Sequence, residues 1–452
     1  MSKCGGSGYY NSPRISSEYQ DCSLLLTFDQ YSYCSFKCQY CFAYFMKTLN
    51  PAYKEGIEFK PINVERICKI IKGEIPDNPY YANFFKYRFP FHWGGLAEPF
   101  DAFEKQNKVG YRLLETLVEL NYPTIISSKG GNLMLESPYY DLFKKASKNK
   151  NFAFQFSIVT GSDEMSQKVE QGGCPTTSER LKAMKAMSDL GYWTILRLRP
   201  YMIGITDVGI DGLFENASKA GCKAISTEFF CLEMKCNKIL ADKFKIISEL
   251  SGLDKVGGLL KYYRALSPHE RGGYLRLNRD VKERYVKQMY QLCKKYNFQF
   301  NTSDPDYKEL NQSGSCCGLP ETKEQYNSEL INYNRAQLTH LLKELRINYW
   351  KSKGKDKYLC WEDIEKLITI PWMDEYRYYG DSLKYWITDY KKEKMTFRHE
   401  FLQTWNNLRS AHNPQNYFHG KIVADHLDKN KNMVFRYEPH DYEIRWMEEG
   451  IL

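Results

Sequence analysis

From about residue 21 to 230, short apolar and β-branched runs alternate with longer segments whose apolar positions step by three and four. The strand-like runs are SLLLTF (23–28), FPFHWG (89–94), TIISS (124–128), FAFQFSIV (152–159), WTILRLRP (193–200) and KAISTEFF (223–230). Helix-like segments lie between them, for example VGYRLLETLVEL (109–120) and SERLKAMKAMSDLG (178–191). In the second of these, Leu181, Met184 and Leu190 share a face and Gly191 is a stop. Thr176 and Glu179 form a capping box just after Pro175. Strands that alternate with helices at this spacing predict right-handed βαβ units and a parallel sheet. Six such runs predict an α/β fold, a partial (β/α)6 barrel of TIM type that stays open.

Two later features extend the pattern. RDVKERYVKQMYQLCKKY (279–296) reads as a helix leading into FQFNTSD (298–304), one more αβ step at the barrel's end. Beyond about 321 the βα rhythm stops. A helix is expected near 334–350 and antiparallel strands around KNMVFRYEP. The expected organisation is an irregular arm over 1–20 and a barrel core over 21–235. A barrel-completing αβ segment follows over 236–320, then an α+β C-terminal extension over 321–452, a candidate substrate-binding region.

Alternation of period two sorts the strand faces. Phe152, Phe154, Phe156 and Ile158 share one face, opposite Gln155 and Ser157. Arg197 and Arg199 share a face opposite Leu196 and Leu198, and Ser226 shares one with Glu228. A parallel sheet covered by helices is apolar outward, so the polar faces should line the interior. They could bind a polar ligand, or satisfy one another with Arg197 or Arg199 paired to Glu98, Glu170 or Glu228.

Composition changes this picture little. The 452 residues are 42% hydrophobic and 26% charged, ordinary for a globular protein, with a high aromatic share of 15%. Lys+Arg 64 against Asp+Glu 55 gives +9, compatible with an anionic partner but too small to demand one. MSKCGGSGYYNSPRISS lacks the apolar core of a signal peptide, and no run reaches the roughly 18 apolar residues of a membrane span. The expectation is a cytoplasmic protein with no membrane partner. The 14 cysteines do not form a short secreted disulfide framework. Isolated ones such as Cys68, Cys222 and Cys293 read as small buried hydrophobes.

The cysteines that matter stand in YCSFKCQYCFAY (33–44), where Cys34, Cys38 and Cys41 fall within eight residues right after the first strand. Thiolates are soft ligands for zinc, Cu(I) and iron–sulfur clusters. Structural zinc needs a fourth ligand, which Cys22 or His92 could supply. On a [4Fe-4S] cube three cysteines leave one iron open to a small molecule. In barrel-like sheets the loops at strand C-termini build the active site.

Cys34, Cys38 and Cys41 after a first strand resemble the CxxxCxxC hallmark of the radical S-adenosylmethionine (SAM) superfamily. HWGGLAEPF (92–100) is similar to its Gly-Gly-Glu-type segment, and SSKG (127–130) ends the third strand. The stretch 156–207 looks most like the spore photoproduct lyase-like branch. The resemblance covers about 24–230. It implies a [4Fe-4S] cluster on Cys34, Cys38 and Cys41, with the aromatic Tyr40 before the last. The backbone of Gly94 and Gly95 would receive the SAM amino group, Lys129 the carboxylate, and Ser157 the ribose hydroxyls. Glu98 would contact the ligand or cap a helix; Ser127, Arg197 and Arg199 complete the cofactor-binding set. Arg180 would face solvent or pair with Glu170.

The implied reaction is reductive cleavage of SAM to a 5′-deoxyadenosyl radical that abstracts hydrogen from a substrate. An external one-electron donor such as flavodoxin or ferredoxin would feed it. The substrate class suggested by the branch is nucleic acid or nucleotide-like. Phe42 stands where that branch has a second tyrosine, and no cysteine aligns with its hydrogen donor. Cys316 and Cys317 are the catalytic candidates as hydrogen-atom donors; alternatively they are buried thiols, or auxiliary-cluster ligands with Cys231, Cys236 or Cys360. In the extension, YWKSKGKDKY (349–358), KYWITDYKKEK (384–394) and NNLRSAHNPQNYFHGK (406–421) interleave aromatic and basic residues, suited to bases and phosphates or to a solvated amphipathic surface. Two other functions compete: a radical SAM enzyme modifying a peptide or protein, and a non-catalytic iron–sulfur or zinc protein that binds nucleic acid.

Overall fold

The computed structural model describes residues 13–15, 21–24, 26–43, 60–75, 84–234, 238–266, 269–271, 273–332, 338–367, 376–378 and 394–452. Most of the N-terminal arm, Cys236 and nearly all of 384–394 lie outside these residues.

Six parallel strands run side by side in chain order: β1 (Leu26–Phe28), β2 (Phe91–Trp93), β3 (Thr124–Ser128), β4 (Phe152–Ser157), β5 (Trp193–Tyr201) and β6 (Ala224–Phe229). Arg14–Ile15 pairs antiparallel with β1 at one edge. At the other edge Gln299 and Thr302 make isolated parallel bridges to Ala224 and Thr227 of β6. The sheet therefore curls without closing, the α/β partial barrel expected from the alternation. The segment 298–304 follows the helix Arg279–Tyr296, but it forms bridges rather than a regular strand. The reason is local: Asn301 Oδ1 accepts from the Ser313 amide at 2.9 Å and Asn311 Oδ1 from the Thr302 amide at 2.6 Å. Asn side chains compete here with ladder bonds.

Outward faces of the strands are apolar. Phe152, Phe154 and Phe156 join Leu196, Leu198 and the flanking helices in one continuous core. The helix Thr177–Asp189 starts with the Thr176/Glu179 capping box. Its buried stripe, however, runs through Thr177, Arg180, Ala183, Met184 and Met187, with Leu181 and Leu190 only partly buried. A charged residue sits on the inner face because a carboxylate awaits it there, as shown below.

The barrel interior is layered. Its floor is apolar: Ile125, Ala153, Trp193, Ile195 and Ala224 pack with Leu319, Tyr326 and Leu330 from the returning chain. Above it lies a polar layer, and above that a cavity open at the strands' C-terminal ends. The C-terminal extension contains the helix Leu338–Lys351 and the antiparallel pair Ile422–Leu427 and Met433–Tyr437. It shares the outer core with the barrel; Trp446 lies 6.3 Å from Tyr290 and Tyr442 lies 5.0 Å from Tyr307, ring to ring.

Candidate active site

The cavity of about 530 Å³ at the strand C-termini is lined on one side by Cys34, Cys38, Cys41 and Tyr40. Gly94, Gly95, Glu98, Ser127 and Lys129 form a second side, and Ser157, Arg197 and Arg199 a third. Every residue that the superfamily resemblance marked for cluster or SAM is thus on one cavity wall or another. Cys316 and Cys317 are not. Cys231, Glu228, Glu233, Tyr274 and Arg276, which the resemblance did not mark, complete the lining.

The cysteine loop is clamped from several directions. Lys37–Cys38 pairs antiparallel with Glu170–Gln171, setting Cys38 opposite Glu170. The Gln39 amide bonds to Val169 O at 2.9 Å, Lys243 Nζ donates to Cys38 O at 2.9 Å, and the Ser35 amide donates to Asp101 Oδ2 at 2.6 Å. Gly172, at φ +78°, passes so close that a Cβ there would lie 2.5 Å from Ser35 O. Glu170 is fully buried and gathers four partners: Arg180, the Tyr40 hydroxyl, Ser166 Oγ at 3.3 Å and Lys129 Nζ at 3.5 Å. Of the two expectations for Arg180, the Glu170 pair holds; the side chain has no exposure at all. Its cations hold the Glu170 carboxyl below the usual range despite burial.

The glycine loop is fixed by acceptors. Asp29 Oδ1 takes the amides of Leu96 and Ala97, both at 2.8 Å. Gly94 has φ +90°, and a Cβ there would meet Ser127 O at 2.2 Å, so only glycine fits. Glu98 does not cap a helix; Asp101 caps Ala102–Asn107 instead. Glu98 ties two loops together, accepting from Ser128 Oγ and the Lys129 amide at 2.6 Å and the Phe100 amide at 3.1 Å. Burial still pushes its carboxyl up.

Beneath the cavity the polar layer is self-satisfied. His92 Nε2 meets Ser127 Oγ at 2.8 Å, which donates to Gln155 at 2.6 Å; Gln155 donates to Cys317 O at 2.7 Å. Arg199 Nη2 and Ser226 Oγ both donate to Cys316 O, at 2.9 and 2.8 Å. The vicinal thiols, with Sγ atoms 3.9 Å apart, therefore lie below Arg199 rather than in the open cavity. The bond to Cys317 and the Arg199 charge push the Cys316 thiol down to about 6.

Arg197 differs from its neighbours. It makes no hydrogen bond or ion pair, and its buried Nε, like that of Arg199, has no partner; Glu228 in the same lining acts on it only through space. Burial and Arg199 push it down to about 10. By contrast Arg276 lies 3.6 Å from Glu228, and Lys129 has Glu170. A cation facing a cavity without a counter-ion suits an anionic ligand group.

The donor set fits an iron–sulfur cluster. The three thiols share one loop and one cavity, and they are free of disulfides. Burial and the other two thiols raise Cys34 well above the usual range, and Cys38 is raised too, so these two thiols stay protonated until a metal replaces the protons. The two side chains that the sequence offered as a fourth zinc ligand lie elsewhere: His92 in the polar layer and Cys22 beside the Cys317 cluster, neither lining the cavity. Among the described residues the compact ligating group is Glu321, His340 and Glu344, which contains no cysteine and already holds Lys343 Nζ on Glu321 at 2.7 Å.

Period two turned Ser157, Arg197 and Arg199 inward, and the superfamily resemblance marked the cysteines, Tyr40, Gly94, Gly95, Glu98, Ser127 and Lys129. They did not find Glu170 as the hub, Cys174 against Arg180, or the outer wall of Tyr274 and Arg276. That wall comes from an antiparallel sheet, Leu232–Glu233, His269–Arg271 and Tyr274–Arg276, whose strands are too short to signal themselves.

No family model matches the chain, and no curated protein matches it in sequence. Among solved structures it is similar to a spore photoproduct lyase variant with bound AdoMet and dinucleoside spore photoproduct, at 12% identity and TM-score 0.44, over 64% of this chain and 80% of that one. It is similar to Streptococcus suis SuiB bound to S-adenosylmethionine at 12% identity and TM-score 0.36, over 63% and 52% of the two chains. Methylornithine synthase (PylB) gives 15% identity and TM-score 0.30 over 50% and 56%.

Proposed function

We propose that this chain is a radical SAM enzyme, with a [4Fe-4S] cluster on Cys34, Cys38 and Cys41 and SAM in the adjoining cavity. The observation that carries the reading is the joining, in one cavity at the strand C-termini, of three disulfide-free thiols and an Arg197 that no carboxylate contacts. A cluster held by Cys34, Cys38 and Cys41 would supply the electron for reductive cleavage of SAM, and with it the radical chemistry that abstracts hydrogen from a substrate.

The chain's own residues would do the rest. Gly94 and Gly95 bring backbone close to the ligand's amino group. Lys129 and Arg197 attract its carboxylate, and Ser157 meets the ribose. Glu98 holds the loops of Gly94 and Lys129 in register. The buried Glu170–Arg180 pair fixes the cysteine loop, and the aromatic rim of Tyr40 and Phe230 excludes water. Electrons come from an external one-electron donor.

For the substrate we favour a nucleic-acid or nucleotide-like molecule. Tyr274 on the outer wall offers a ring for a base, with the Arg276 guanidinium 5.9 Å from its centroid. The test is anaerobic reconstitution followed by iron and sulfide analysis and a SAM cleavage assay with and without oligonucleotide. The reading expects four irons per chain and 5′-deoxyadenosine after reduction. Stoichiometric zinc, or a loaded cluster that never cleaves SAM, overturns it.

A further inference from the structure

The outer wall of the cavity is one face of a small antiparallel sheet. Leu232–Glu233 pairs with Tyr274–Arg276, setting Glu233 opposite Tyr274 and Leu232 opposite Leu275. Side chains alternate between the two faces of such a pair, and directly opposed residues share one. Leu232 and Leu275 turn into the outer core, 0% and 4% exposed. Glu233, Tyr274 and Arg276 therefore turn the other way, and all of them line the cavity. Register alone thus stands a carboxylate beside a tyrosine ring, with the Arg276 guanidinium 5.9 Å from the centroid of that ring.

The lining carboxylates are Glu98, Glu228 and Glu233, and the first two already have donors. Glu98 takes Ser128 Oγ and the amides of Lys129 and Phe100. Glu228 takes Ser303 Oγ at 2.8 Å and lies 3.6 Å from Arg276. Glu233 is different. It is 6% exposed, the donor acting on it is its own amide, and Lys243 acts on it only through space. Among the described residues no other side chain donates to it. A buried carboxylate is costly until donors reach both oxygens. The wall does not supply them, so a ligand must.

The rest of the lining decides what kind of donor fits. Lys129, Arg197, Arg199 and Arg276 already face the cavity, so a neutral N–H group is favoured over a further cation. The ring opposite Glu233 suits a flat partner, and stacking accepts any base. The carboxylate adds the selection that stacking lacks, because its two oxygens match two parallel N–H donors. Guanine presents that pair, N1–H beside its 2-amino group. Adenine and cytosine set a ring-nitrogen acceptor beside their amino group, and thymine flanks its single N–H with carbonyls. A carboxylate repels each of those acceptors.

We propose that Glu233 is a specificity-determining residue that accepts N1–H and the 2-amino group of a guanine base stacked on Tyr274. This rests on the reading of the cavity as the SAM site of an enzyme with a nucleotide-like substrate.

The test titrates the anaerobically reconstituted, SAM-loaded full chain by calorimetry with the trinucleotides d(TGT), d(TIT) and d(TAT), where I carries hypoxanthine, guanine without its 2-amino group. Wild type should bind d(TGT) about tenfold more tightly than d(TIT) and about a hundredfold more tightly than d(TAT). Glu233→Gln turns one acceptor into a donor, so d(TGT) should weaken about tenfold while d(TAT) holds or gains. Tyr274→Leu should weaken all of them alike, about tenfold, and keep their order. Equal wild-type affinities, or no binding of any of the trinucleotides, overturns the proposal. So does a ranking that survives Glu233→Gln in a protein that melts like wild type. If only N-acetylarginine amide binds, and binds through Glu233, the carboxylate serves a peptide substrate and the proposal falls. A chain that holds no four-iron cluster, or never cleaves SAM, defeats the underlying reading instead; iron analysis and the cleavage assay report that separately from the ranking.

Discussion

Two regions of this molecule bury cations, and they treat them in opposite ways. At the seam between barrel and C-terminal extension, each buried cation of the central cluster is met. Lys282 lies between Asp304, at 2.7 Å, and Asp306; Lys308 pairs with Asp21 at 3.0 Å, and Lys421 with Glu309 at 2.5 Å. Asp21 also accepts from the Thr339 amide and hydroxyl at 2.7 and 2.8 Å and from Tyr417 at 2.5 Å. In the cavity Arg197 has no such partner. Removing charges from water costs several kcal/mol per ion unless a partner or a ligand compensates. A seam whose charges close on one another holds two parts of a chain together. A wall that leaves one open is prepared for something that arrives from outside.

The largest effect should come from breaking the closed side. Lys421→Met removes the cation that lets Glu309, fully buried beside Glu443, ionise, and above pH 8, where that carboxyl is charged, it should cost about 3–5 kcal/mol of unfolding free energy in a denaturant melt. Adding Glu309→Leu removes the stranded carboxylate and should return most of that loss. If Lys421→Met alone is neutral, the seam is not a structural ion cluster and the contrast fails.

Arg197→Met probes the open side and should do the reverse. Stability should hold or rise by ~1 kcal/mol, since an unsatisfied buried group is removed. SAM affinity, measured anaerobically by calorimetry on the loaded protein, should fall about 10- to 100-fold, or ~1.4–2.7 kcal/mol. Should melting show a loss as large as that of Lys421→Met with SAM binding intact, Arg197 is part of the scaffold.

The two regions also differ in how far the sequence disclosed them. The cavity was largely readable, because its pieces obey local rules. Three cysteines fall in one loop, and the period of two along β4, β5 and β6 turns Ser157, Arg197, Arg199 and Glu228 to the same interior. The seam was not readable. Asp21 and Lys308 are 287 positions apart, and Lys421 and Glu309 come from segments with no shared periodicity. Each alone looks like a solvated charge. The same limit hid the place of Glu170 opposite Cys38, which a two-residue ribbon sets. It also misassigned the inner face of Thr177–Asp189, where Leu181 looked like the core position and Arg180 took it. Amphipathic counting assumes that charge faces water, and a buried acceptor across the interface reverses that assumption.

The smallest expected effect is a pH dependence that belongs to the seam. Burial, with Lys421 and Arg279 nearby, pushes His440 down to about 3. The folded protein therefore keeps it neutral while the unfolded chain binds a proton below about 6.5, so this contribution is complete above 6.5 and drains away as pH falls toward 3. Asp306, held below the carboxylate range by His419 and Lys282 in spite of burial, adds a loss in the same direction below its ordinary value. Glu309 opposes them: burial and Glu443 raise it to about 8, so stability gained on its protonation accrues as pH falls from 8 and is complete near 4.5. The three together predict a melting temperature that peaks on the acid side of neutrality and drops below pH ~4.5, where only His440 and Asp306 still act. His440→Gln, which keeps a polar group at the helix start without a titrating one, should flatten the acid limb by a few degrees and leave the melt at pH 8 unchanged. An acid limb of the same slope in that variant removes His440 from the seam's account and leaves Asp306 as its source.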